Sequence, residues 1–193
     1  MANPTVAEIS ASRAGATGAL AYAVLGTALP TDATTALVAA YKGLGYIGED
    51  GIAPARDIST DPVRDMNGDQ VYTLQTEFSR TYEATLLQST NVDVKKAIFG
   101  DTNVVVTAPT ASTGTKITVQ DKGVQAPHVA LVATTFDGQK THRECSADAQ
   151  ITAVEIGPLV GTAVRSYTIT YTIYKDSAGV YTYEYDDNGV FTV

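Results

Sequence analysis

The chain has 193 residues, enough for one well-packed domain and short for two. Its 21 acidic and 13 basic residues leave a formal charge of −8, which argues against a protein that grips DNA by neutralising phosphates and favours a soluble one. The single cysteine, Cys145, excludes an intramolecular disulfide and leaves a zinc site short of ligands.

Apolar residues make up 44% of the chain, with Thr, Val, Ala, Gly and Tyr prominent and Trp absent, a mixture that favours strands and tight turns. The first residues lack the basic start and apolar core of a signal peptide, and no apolar run reaches membrane-spanning length. Synthesis and folding in a cytoplasm are expected.

In chain order, residues 1–17 are small and polar and predict a loose N-terminal arm. Residues 18–25 predict a strand, and residues 27–31 a turn at Pro30. Asp32 is placed to cap a short helix through Tyr41, ended by Gly43 and Gly45. Residues 48–68 hold Pro54, Pro62 and much local charge, which predicts a long projecting loop or a frayed hairpin.

The clearest pattern follows. Tyr72, Leu74, Phe78, Tyr82, Ala84 and Leu86 fall on even positions; Thr73, Gln75, Glu77, Ser79, Thr81, Glu83 and Thr85 fall on odd ones. That alternation predicts a long strand with one apolar and one hydrophilic face, interrupted at Thr76 and Arg80. Ser89, Thr90 or Asn91 can cap a helix through Phe99, with Val94, Ala97 and Ile98 on one side and Gly100 after its end. Strands are expected over 103–108, 116–121, 128–135, 145–156 and 164–175, with a turn at Asp137-Gly138. In the last of these, Arg165, Tyr167, Ile169, Tyr171 and Ile173 oppose Ser166, Thr168, Thr170 and Thr172. Residues 180–193 predict a terminal hairpin around Asp187-Asn188-Gly189.

Chemical motifs are weak. Gly43-Leu44-Gly45-Tyr46-Ile47-Gly48 matches G-x-G-x-x-G, but a predicted helix precedes it and Glu49-Asp50 follows, which would repel phosphate. Asp65-x-Asn67-x-Asp69 opens like a calcium loop, yet Gln70 and Thr76 stand where Gly and Glu are needed, so an Asx-rich turn is the better reading. His142 and Cys145, three apart on an extended segment, would face opposite ways, against a nucleophile–base pair. Glu77 and Glu83 share a face but lie roughly 20 Å apart at ~3.3 Å per residue, too far for a glycosidase pair. No catalytic set, cofactor site or metal site is expected.

Several stretches together carry a resemblance: Gly45-Tyr46-Ile47-Gly48-Glu49-Asp50-Gly51, the run Asp65 through Val71, Thr81-Tyr82-Glu83, Asn91 through Asp101, and the upstream Thr27-Ala28-Leu29-Pro30-Thr31-Asp32-Ala33 turn. In these the chain resembles the major tail tube protein of long, non-contractile-tailed bacteriophages, of the kind infecting actinobacteria. The resemblance implies a single, mainly β, sandwich- or barrel-like tail tube domain with a flanking helix. It implies six subunits joining sheets into a ring-wide β-barrel, with rings stacked into a conduit for genome ejection. Tape measure, tail terminator and tip proteins would be the partners, and DNA would pass the lumen without specific binding. The virion tail, assembled in the host cytoplasm, would be its location, with no membrane partner.

On that reading Thr73, Gln75, Glu77, Ser79, Thr81, Glu83, Ser166, Thr168, Thr170 and Thr172 face the lumen. Residues 48–70 form an inter-ring loop carrying Glu49, Asp50, Arg56, Asp57, Asp61, Arg64, Asp65 and Asp69. The alternative is a solitary β-sandwich that binds carbohydrate or a cell surface through Tyr181, Tyr183 and Tyr185. An enzyme on nucleic acid or sugar ranks last.

Overall fold

A computed structural model describes residues 8–16 and 18–190. Its strands are β1 (Arg13–Ala14), β2 (Leu20–Val24), β3 (Lys42–Gly43), β4 (Ile47–Arg64), β5 (Gln70–Leu86), β6 (Val104–Thr107), β7 (Lys116–Val119), β8 (Val129–Asp137), β9 (Lys140–Ile156), β10 (Tyr167–Tyr174) and β11 (Tyr183–Asp187). The α-helix α1 (Val92–Phe99) follows β5. The protein is mainly β, and its main antiparallel sheet runs in the order β3-β2-β8-β9-β10-β5-β4, with β1 added on β8 and β11 on β9. Strands β6 and β7 form a separate hairpin.

Strand β9 organises the sheet. Its first part pairs with β8 on one side and β11 on the other; its last part, from Asp148 to Ile156, pairs with β10. The sheet folds back on itself, so that Arg80 of β5 reaches Glu144 of β9 at 2.7 Å and Tyr82 donates to the same carboxylate. Leu20, Tyr82, Leu86, Leu131, Ile151, Tyr167, Ile169, Tyr171 and Ile173 fill the space between, and Val94, Ala97 and Ile98 of α1 cover it. Burying each such side chain contributes about 1.5–3 kcal/mol.

Helix α1 forms as its sequence dictates. Asn91 caps it by accepting from the Asp93 amide at 2.8 Å. Gly100 ends it at φ 86°, a conformation costly for other residues. The β8–β9 turn likewise places Gly138 at φ 64°.

The structure departs from or decides between several expectations. No helix follows Asp32: its carboxylate accepts from the Thr34 and Thr35 amides as a cap would, but Arg143 takes the carbonyls of Asp32 and Thr35 at 3.0 and 2.8 Å. Those are acceptors the helical ladder would need, so the segment bends instead. Residues 48–64 take the hairpin rather than the loop of the two forms expected: they are strand, paired along β5. Pro54 and Pro62 are tolerated because β4 is the outermost strand, where a missing donor breaks no ladder. The first arm of the expected C-terminal hairpin is β11, which pairs with β9, and its second arm falls mostly outside the described residues. Residues 191–193, and 1–7 and 17 of the N-terminal arm, lie outside the described residues, whereas β1 of that arm pairs with β8.

Candidate functional surface

The register of the sheet brings together the two hydrophilic faces read separately from sequence. Thr170 lies opposite Glu83 and Thr172 opposite Thr81. Side chains directly across an antiparallel pair share a face, so β5 and β10 present one continuous polar surface. A hydroxyl ladder binds it laterally: Thr85 to Thr168 at 2.9 Å, and Thr152 to Thr172 at 2.8 Å. Ser166 sits just before β10, its carbonyl accepting from the Gly157 amide at 3.0 Å.

The outer strands extend this face with residues the sequence did not single out for it. Gln150 pairs with Thr172, Ala153 with Thr170 and Glu155 with Thr168; on the other side Ala53, Ala55, Asp57 and Ser59 pair with Glu83, Thr81, Ser79 and Glu77. The charged members at these paired positions are Asp57, Glu77, Glu83 and Glu155, all acidic. Which strands flank β5 and β10 depends on pairings distant in sequence, so no local signal marks those residues.

Thr73 and Gln75 do not belong to this face. The register slips at Thr76: Ser59 pairs with Glu77, but the next residue, Thr60, pairs with Gln75. Consecutive strand residues point to opposite faces, so Gln75 and then Thr73 lie on the side opposite Glu77. The break in the apolar pattern at Thr76 is the sequence trace of this bulge.

The same slip divides the β4–β5 hairpin. Its base packs on the core through Tyr82, Ala84 and Leu86; beyond the bulge, residues from about 60 to 75 are solvent-exposed. Val63 pairs with Tyr72 and Asp61 with Leu74, an exposed apolar-edged patch below the fully exposed Met66 at the tip. The tip turn is tightly made. Asp65 accepts from the amides of Asn67 and Asp69, both at 2.9 Å, and Arg64 donates to the Gly68 carbonyl at 2.8 Å. Those amide bonds, from Asp69 first, hold the Asp65 carboxyl below its ordinary range. The calcium-like spacing is therefore an Asx turn.

The residues expected on an inter-ring loop separate into three places. Glu49 and Asp50 line a cavity at the hairpin base with Ile52, Pro54, Tyr82, His142 and Glu144. Arg56 stacks over Phe78, 5.2 Å from its ring centre, while Asp57 joins the polar sheet face. Asp61, Arg64, Asp65 and Asp69 occupy the distal arm and its turn.

Other motifs dissolve in three dimensions. Gly43-Leu44-Gly45 leads into β4, with no helix to meet a phosphate. Cys145 is fully buried, and burial pushes its thiol up to about 11, away from the thiolate a nucleophile needs. His142 is not a lone surface residue: its Nδ1 lies 2.7 Å from Asp186 Oδ1 and its Nε2 3.4 Å from Glu144 Oε1. Burial opposes the charged imidazole, but the hydrogen bonds to Asp186 and Glu144 prevail and raise its pKa. Sequence reading missed this cluster because His142 and Asp186 meet only through the β9–β11 pairing. Tyr181 packs on Phe78 with ring centres 4.5 Å apart, and Tyr183 donates to Asp176 at 2.7 Å, so these rings are engaged within the fold.

No described helix is long and apolar enough to cross a membrane. No protein-family model matches the chain, and no curated protein matches it.

Proposed function

We propose that the chain is a structural subunit that assembles with copies of itself into the tail tube of a long-tailed bacteriophage. The observation that carries this reading is the four-stranded stretch β4-β5-β10-β9, which has an acidic, hydroxyl-rich face and an unpaired outer edge at each side among the described residues. One edge is β4 itself; the other is the end of β9 beyond Ala149, where β10 is its only described strand partner.

Unpaired edges invite strand addition, and closure of a ring removes them. Six subunits would pool enough strands to exceed the roughly 16–18 at which barrels hold an aqueous channel. Carboxylates and hydroxyls on the inner wall would repel and hydrate a DNA thread without capturing its phosphates. The projecting arm would bridge stacked rings, with tape measure, terminator and tip proteins at the lumen and ends. Such a subunit has no catalytic role, and its place is the virion tail, built in the host cytoplasm.

Purified protein examined by light scattering and negative-stain microscopy should give rings or tubes. A stable monomer at high concentration that shows neither, even with its partner proteins present, overturns the reading. In virions, Glu77→Lys with Glu83→Lys should leave tails of normal length but impair DNA delivery. Normal delivery by such virions removes the lumen assignment.

A further inference from the structure

We propose a binding site for a divalent transition-metal ion of the zinc class, formed by His142 of β9 with Glu184 and Asp186 of β11. It is separate from the sheet face discussed above and does not depend on assembly into a tube.

The site follows from strand register. Asp186 lies directly opposite His142, and Glu184 opposite Glu144. Residues two apart on each of two adjacent strands project to one face, so four side chains form a square. Three ligand atoms, one each from His142, Glu184 and Asp186, lie within 4.8 Å of one another. His142 Nδ1 is 2.7 Å from Asp186 Oδ1 and 3.9 Å from Glu184 Oε1. Tetrahedral bonds of about 2.0–2.2 Å would set ligand atoms about 3.4 Å apart, a value between those two distances. The two carboxylates that would rotate to reach it are exposed, Glu184 at 59% and Asp186 at 71%.

The fourth corner supplies the outer support that metal-binding histidines usually have. Glu144 Oε1 stands 3.4 Å from the far ring nitrogen, Nε2, and can hold the proton there, leaving Nδ1 as the ligand. Glu144 is itself fixed by Arg80 at 2.7 Å and by Tyr82, and its side chain is only 11% exposed. One imidazole nitrogen and two carboxylates leave room for water as a fourth ligand. A nitrogen ligand and so small a set favour zinc-class ions over magnesium or calcium, which take larger shells of oxygen. Three carboxylates against the one guanidinium leave net negative charge for a dication to neutralise. Binding displaces any proton on Nδ1, so affinity should fall with falling pH. The ion would tie β11, whose only strand partner among the described residues is β9, to the sheet.

The test uses untagged, full-length, metal-stripped protein titrated with zinc chloride near pH 7, by calorimetry and thermal melting. The expected result is saturable binding of one ion per chain, with a rise in Tm. His142→Gln should weaken it at least tenfold, and Asp121→Asn, in a distant loop, should not change it. Should His142→Gln fail to fold, Asp186→Asn, at an exposed position, carries the same expectation. The proposal is overturned by no saturable binding up to about 1 mM zinc. It is equally overturned by binding indifferent to both ligand substitutions, or by calcium binding as tightly as zinc, which would mark a mere acidic patch.

Discussion

The base and the distal half of the β4–β5 hairpin have the same local grammar and opposite surroundings. At the base, Tyr82, Ala84 and Leu86 of β5 are buried in one core cluster with Leu44 and with Val94, Ala97 and Ile98 of α1. Toward the tip, Tyr72 and Leu74, in the same alternating run, are 62% and 49% exposed. Alternation reports that a segment is a strand; the slip at Thr76 turns Tyr72 and Leu74 to the face opposite Tyr82, away from the core. The base is stability, and the tip is surface available to another molecule.

The sharpest way to break this contrast is to cut into the base. Leu86→Ala should cost about 2–5 kcal/mol of folding free energy, read by chemical denaturation, because the site is fully enclosed. A loss under about 1 kcal/mol would show the base to be loosely packed. Next comes Arg80→Met, which strands the Glu144 carboxylate beside Tyr82; a loss of about 2–3 kcal/mol is expected by the same measurement.

A smaller effect is expected at Asp32, outside the hairpin. Its carboxyl is lowered from 3.8 to about 2, first by the Thr35 hydroxyl and then by the Thr35 and Thr34 amides. A depressed carboxylate stabilises above its unfolded pKa and ceases to do so as pH falls through the folded value. The Tm gap between wild type and Asp32→Asn should therefore be full near pH 5 and close as pH drops from about 4 toward 2. A gap constant across that window would remove the charged cap from the account.

The smallest effect on the lone subunit belongs to the tip. Tyr72→Ser with Leu74→Ser should shift subunit stability by no more than about 0.5 kcal/mol per site. The same pair should markedly reduce ring stacking if the arm bridges subunits. Normal tubes from that variant would leave the arm without its proposed task.

Much of the fold was legible because it is local. The Asn91 cap, the Gly100 stop and the Val94-Ala97-Ile98 stripe of α1 lie within one short stretch and appear as expected. The polar faces of β5 from Glu77 onward and of β10 were likewise carried by alternation, though not their pairing. What could not be read was non-local. Arg143 draws two carbonyls out of a would-be helix more than a hundred residues upstream. The edge position of β4 makes its prolines harmless, and only the sheet order reveals it. Thr76 was visible as an interruption, but its consequence, a swap of faces for Thr73 and Gln75, needed the partner strand. His142 gained its carboxylates the same way, through β11.

The two prolines of β4 also bear on how that rim can be used. Pro54 and Pro62 are eight residues apart, so both present the same side of the strand, and neither has an N–H to offer. A neighbouring chain that slides along this rim meets silent positions at fixed spacing and can lock only in alignments that ask nothing of them. In the proposed assembly the rim would work less like an open zip than like a key with two filed teeth: it would accept a matched companion and discourage indiscriminate clumping.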